Sequence, residues 1–133
     1  MVVVDANVLA SRWVETPHSA LSRRARSRDS TWIAPPLWRS EVRSVLRKYL
    51  LHEAISYADA LWAYKRIHAV MRTHTYDVDT ADVLKLVQLT GHSAYDCEYV
   101  ALAQSEGVPL ITADKKLARL FPNIAVLLAD FVA

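Results

Sequence analysis

The chain has 133 residues, 53% of them apolar, with a net charge of +2 when histidine is neutral. That is the size of one domain able to bury a core, and it is less basic than a dedicated electrostatic nucleic-acid binder. A single cysteine, Cys97, excludes an internal disulfide, and two glycines, Gly91 and Gly107, cannot build a dinucleotide fingerprint or a phosphate-cradling loop.

Val2, Val3 and Val4 are β-branched and apolar without alternation, which predicts a short strand buried on both faces, as in parallel sheets. Asp5, Ala6 and Asn7 follow, and a short helix is expected over Val8 to Trp13. Thr16 and Pro17 read as a cap and first-turn pair for a helix from Ser19 to Arg28, which carries the basic cluster Arg23, Arg24, Arg26 and Arg28. Thr31 to Ala34 is a second strand, stopped by Pro35-Pro36. Helices are expected over Leu37 to His52, Ser56 to Thr73, Ala81 to Leu89 and Ser93 to Glu106, the last two ended by Gly91 and Gly107. A third strand over Val108 to Thr112, a helix over Lys115 to Leu120 and a last strand over Ile124 to Leu128 complete the chain. Short apolar strands separated by helices predict an α/β fold with a mostly parallel sheet covered on both faces. No repeat, linker, membrane-length apolar run or basic leader is visible, so one domain over 1–133 in a reduced, cytoplasmic setting is expected.

Four acids stand out, and each has an ordinary structural use beside a chemical one. Asp5 and Asp114 both follow a strand and precede a helix, the place of an N-cap. It is also the carboxyl edge of a parallel sheet, where open α/β folds bind ligands. Asp96 sits three residues after Ser93 in a capping-box pattern, yet it shares a helical face with Tyr99, Val100 and Ala103, where a buried carboxylate needs a partner. Glu98 is expected on the other side, beside Ser105 and solvated. Glu41 lies at the margin of the stripe Trp38, Val42, Val45, Leu46 and Tyr49. Helix N-termini stabilise a carboxylate by about 0.3–1 kcal/mol, too little to hold several anions in one cleft without a cation. An all-oxygen set selects a hard divalent ion, Mg2+ or Mn2+, which activates water and stabilises charge on phosphate.

Val-Val-Asp5-Ala-Asn7-Val-Leu, Glu41 on a long helix, Tyr95-Asp96-Cys-Glu-Tyr99-Val-Ala-Leu-Ala and Leu-Ile-Thr112-Ala-Asp114-Lys-Lys-Leu together resemble the PIN domain, in order and along the whole chain. The size is most similar to the VapC-type toxins of bacterial and archaeal toxin–antitoxin pairs. The resemblance implies a PIN-like three-layer sandwich, a short parallel sheet flanked by helices. It implies a metal-dependent endoribonuclease that hydrolyses RNA phosphodiester bonds, a homodimer, a cognate antitoxin and no membrane. Asp5, Glu41, Asp96 and Asp114 match the four acidic positions, and Asn7 and Thr112 match supporting polar ones. Ala113 stands where other members often carry Asn. Asp5 and Asp96 are expected as direct ligands of Mg2+ or Mn2+. Asp114 and Glu41 would complete the shell, hold a second ion or orient the attacking water.

The alternative is a non-catalytic PIN-like binding module, against which four intact acids argue. A phosphotransfer reading with Asp5 as nucleophile lacks the second acid at position 7. The helical arginines at 23–28 have two readings, RNA phosphate contacts or a solvated basic face. Arg39, Arg43 and Arg47 form a row facing away from Glu41, suited to an acidic partner segment. Trp13, Trp32, Trp38 and Trp62 read as core or interface residues rather than base-stacking ones, Trp38 and Trp62 above all. The histidines lack zinc spacing and receive no role. Cys97 reads as a packed core residue.

Overall fold

In the computed structural model, which describes all residues 1–133, strand β1 (Val2–Val4) is buried throughout and occupies the middle of the sheet. Strand β2 (Trp32–Ile33) pairs with it on one side and β3 (Leu110–Thr112) on the other, and β4 (Ala125–Leu127) lies beyond β3. The order is β2-β1-β3-β4 and every pairing is parallel, with Val3 opposite both Ile33 and Leu110. From β1 the chain winds to one side, then crosses to β3 on the other. The carboxyl ends of β1 and β3 therefore flank the reversal point of the winding, where such sheets open a crevice.

Helices α1 (Ala6–Ser11), α2 (Ser19–Arg28), α3 (Trp38–Leu51), α4 (Tyr57–Met71), α5 (Thr80–Thr90), α6 (Ala94–Glu106), α7 (Lys115–Leu120) and α8 (Leu128–Phe131) flank the sheet. Helix α1 packs against α3, and α5 against α6. The core joins the strand valines to Leu9, Trp38, Val42, Ile67, Met71, Val100 and Leu102, all fully or almost fully buried. Gly91 and Gly107 end α5 and α6 at φ 66°, a left-handed conformation that glycine adopts without steric cost. No helix is long and apolar enough to cross a membrane.

The predicted elements stand within a few residues of their expected bounds, with two differences. Thr16 and Pro17 form a turn ahead of α2 rather than its cap: the Thr16 hydroxyl donates to Ser11 Oγ at 2.9 Å and accepts from the His18 N–H at 3.1 Å. The short α8 was not expected; it is too brief to show a period. It is held by the basic cluster of α2: Arg24 donates to the Val132 carbonyl at 2.8 Å, and Arg28 lies over the Phe131 ring.

Two side-chain expectations are narrowed. Trp62 is 56% exposed, because α4 faces the core along Ala60, Ala63, Ile67 and Met71, so of its core and interface readings the core one falls. The α2 arginines are not simply a solvated or phosphate-binding face: besides Arg24 and Arg28, Arg26 lies over the Trp13 and Trp32 rings, so three of the four make defined internal contacts.

Candidate active site

The centre is Asp5, the residue after β1. Its backbone is extended and its side chain caps α1, with Oδ1 accepting from the Val8 N–H at 2.9 Å. Oδ2 accepts from the Thr112 hydroxyl at 2.5 Å and from the Ala113 N–H at 3.3 Å. Thr112 is fully buried at the end of β3, so the pairing of β1 with β3 sets this contact. Burial pushes the Asp5 carboxyl above its ordinary range; the bonds from Thr112, Val8 and Ala113 oppose the rise and the nearby Asp96 charge adds to it. An ionised carboxylate offers about four acceptor places. Three are filled here, which leaves room for one further ligand.

Asp96 lies in the first turn of α6, and the capping box that was its ordinary alternative use does not form. Ser93 caps the helix alone, accepting from the Tyr95 N–H at 3.2 Å. The Asp96 carboxylate instead meets His92, with Nε2 and Oδ2 2.9 Å apart; the side chains are 35% and 11% exposed. Glu41, in the first turn of α3, is half-buried. Burial raises its carboxyl, the nearby Tyr99 hydroxyl opposes the rise, and the charges of Asp96, Asp5 and Glu98 add to it. Asp5, Glu41 and Asp96 thus act on one another across the crevice.

Tyr99 is buried beside these acids, feeling the charges of Glu41, Asp5 and Glu98. It is 1% exposed and its hydroxyl has no partner at hydrogen-bonding distance. Burial and the adjacent Glu41 charge hold its phenol far above the ordinary range; Glu41 is near enough to act on it without a formed bond. Glu98 corrects an expectation. Rather than standing solvated away from the site, it is half-buried, its own carboxyl is raised by burial, and its charge reaches Glu41 and Tyr99.

Asp114 and Asn7 stand further out. The Asp114 carboxylate is exposed and caps α7, accepting from the N–H groups of Lys116 at 2.8 Å and Leu117 at 3.2 Å. It is not among the charges acting on Asp5 or Glu41. Its backbone N–H donates to Thr112 Oγ1 at 3.0 Å, so a chain of two bonds links Asp114 through Thr112 to Asp5. Asn7 is exposed, and only its backbone carbonyl is engaged, by Ser11 Oγ at 2.6 Å.

No three of these side chains converge on one point at ligating distance. The donor chemistry nonetheless fits a hard divalent cation: three mutually repelling carboxylates, two of them raised by burial, beside a buried unpartnered hydroxyl. Sequence reasoning missed His92 and Glu98. His92 stands four residues before Asp96, but it lies in the link between α5 and α6, where helical spacing does not apply. Glu98 escapes the helical wheel because the wheel gives an angle and not the neighbours, Glu41 and Tyr99, that its carboxylate acts on.

The PIN domain family model matches residues 2–121. Ribonuclease VapC3 of Pyrobaculum aerophilum is 31% identical over 132 residues, spanning 92% of this chain and 96% of its own length. Ribonuclease VapC12 of Mycobacterium tuberculosis is 32% identical over 120 residues, spanning 90% and 91%. Among solved structures, PAE2754 from Pyrobaculum aerophilum superposes with a TM-score of 0.76 at 20% identity, over 98% of this chain and 92% of that one. FitAcB from Neisseria gonorrhoeae superposes with a TM-score of 0.67 at 13% identity, over 94% and 96%. At those identities the two structures bear on the fold alone.

Proposed function

The chain belongs to the PIN-domain family, and from that premise we propose that it is a divalent-metal-dependent endoribonuclease, the toxin of a toxin–antitoxin pair. One observation carries the reading: at the carboxyl ends of β1 and β3 the buried Asp5 carboxylate is held by Thr112, and the Asp96 charge acts on both Asp5 and Glu41. The ribonuclease names of the VapC relatives support the same chemistry.

Asp5 and Asp96 would hold Mg2+ or Mn2+, with Glu41 and Asp114 available to complete the shell or to bind a second ion. When bound, such a cation supplies an activated water and charge stabilisation at the phosphate. The protein's own part is positioning. Thr112, Val8 and Ala113 fix the Asp5 carboxylate. Glu41, with its raised proton affinity, takes the proton from the attacking water. Exposed Asn7 would support the site as a neutral polar group. Water attacks phosphorus, the bond to the leaving oxygen breaks and that oxygen takes a proton from solvent, so that a phosphate monoester and a hydroxyl result and no side-chain nucleophile is needed.

The partners of this reading are RNA, a cognate antitoxin and a second copy of the chain, in the cytoplasm. The exposed apolar residues Tyr57, Leu61 and Trp62 on α4 support a protein partner. The test is incubation of the purified chain with a cellular RNA pool in Mg2+, in Mn2+ and in chelator. Internal cleavage that needs metal is the expected result; intact RNA from folded, inhibitor-free protein would overturn the reading.

A further inference from the structure

His92 belongs to no regular element. Gly91 ends α5 in the left-handed conformation and Ser93 caps α6, so His92 is the single residue joining a helix stop to a helix cap. It is fixed from several sides. Its backbone N–H donates to Thr90 Oγ1 at 3.1 Å. Its ring stands edge-on to Phe121, centroids 6.3 Å apart at 80°. Its side chain is 11% exposed. An ionised aspartate only accepts hydrogen bonds, so Nε2 carries the hydrogen and donates to Asp96 Oδ2 at 2.9 Å.

The same arrangement recurs at Asp5, where Thr112 donates to Oδ2 from the neighbouring strand. Each carboxylate expected to bind metal therefore has one oxygen engaged by a packed donor from outside its own helix. Donors of this kind orient a ligand and restrict how many of its oxygens reach the ion.

We propose that His92 is a positioning residue for Asp96: it holds Oδ2, turns Oδ1 toward the crevice, and so pre-forms a one-oxygen ligand for the divalent cation. The proposal rests on the metal-dependent reading above. Without the imidazole, Asp96 loses its fixed rotamer and the ion must order it on binding.

The test is calorimetric titration of Mn2+ into the metal-free full chain, as wild type, His92→Leu and His92→Gln, with thermal melting of each. Glutamine can place an amide N–H near the position of Nε2. Wild type is expected to bind, His92→Leu to bind about 10–100-fold more weakly, and His92→Gln to recover most of the affinity. Pulsed EPR of Mn2+ bound to wild type is expected to show no directly coordinated nitrogen, and this arm stands even where His92→Leu fails to fold. Equal affinity in folded His92→Leu, or a directly bound imidazole nitrogen, would overturn the positioning role while leaving the metal reading intact. A wild-type chain that binds no Mn2+ would overturn the metal reading and this proposal with it.

Discussion

Thr112, at the end of β3, donates its hydroxyl hydrogen to Asp5, at the end of β1, across 107 positions of sequence. This contact joins the two strands where the sheet's winding reverses, and it converts strand pairing into placement of one carboxylate. Thr112→Val keeps the shape and removes the donor. It is expected to cost about 1–3 kcal/mol of stability and to reduce cleavage about 10–100-fold, with Thr112→Ser near wild type. Denaturant unfolding and RNA cleavage of the two variants check this.

Folding raises the carboxyls of Asp5 and Glu41 above their ordinary values of 3.8 and 4.5. A carboxyl so raised binds its proton more tightly in the folded chain than in the unfolded one. Its contribution therefore favours folding in acid, declines as pH climbs from the ordinary value through the raised one, and remains a full penalty above it. Glu41→Gln removes that penalty without breaking a formed hydrogen bond, whereas at Asp5 both oxygens accept bonds that an amide NH2 could not. In metal-free protein at pH 7 Glu41→Gln is expected to melt higher than wild type, at roughly 3–5 °C per kcal/mol for a domain of this size. The gain should shrink on acidification. Melting curves from pH 4 to 8 read the difference; a variant that melts lower at neutral pH would contradict it.

Glu98 adds its charge to the site without being one of the expected ligands. Glu98→Gln is expected to lower the titration point of Glu41 and of the Tyr99 phenol, because both feel the Glu98 charge in the same direction. Carboxyl-carbon NMR of Glu41 in metal-free protein measures the shift. An unchanged Glu41 would remove Glu98 from the site.

Trp38 anchors the start of α3, the helix that carries Glu41. It is fully buried, and its indole N–H donates to Thr75 Oγ1 at 2.8 Å. Trp38→Phe deletes that bond and part of the ring. A loss of about 1–3 kcal/mol is expected in denaturant unfolding, with metal-dependent cleavage retained in the folded fraction.

Much of this was legible in the sequence because it depends on local pattern. Three consecutive valines before Asp5, the repeat of strand, acid and helix at Asp114, and Gly91 and Gly107 as helix stops all read directly. The parallel sheet places Asp5 and Asp114 at one edge, while the gathering of Asp96 and Glu41 beside them comes from the PIN resemblance and not from local pattern; in the structure the Asp96 charge acts on Asp5 and Glu41. What escaped was set by neighbours that no helical wheel contains. Glu98 acts on Glu41 across the gap between two helices distant in sequence, α6 and α3. Trp62 is exposed because α4 turns its alanine face to the core. His92 reaches Asp96 because a one-residue link between two helices holds it there. Asp114 shows the reverse: the ordinary capping use is real, and its link to the site runs through the backbone and Thr112 rather than its carboxylate.

The most direct test of the central claim compares wild type with Asp96→Asn on one RNA pool in Mn2+, with matched melting curves and mapped fragment ends. The account predicts internal cleavage by wild type at defined sites, abolished by chelator, and a loss of at least about 100-fold in a folded Asp96→Asn chain. Undiminished metal-dependent cleavage by that variant would contradict it.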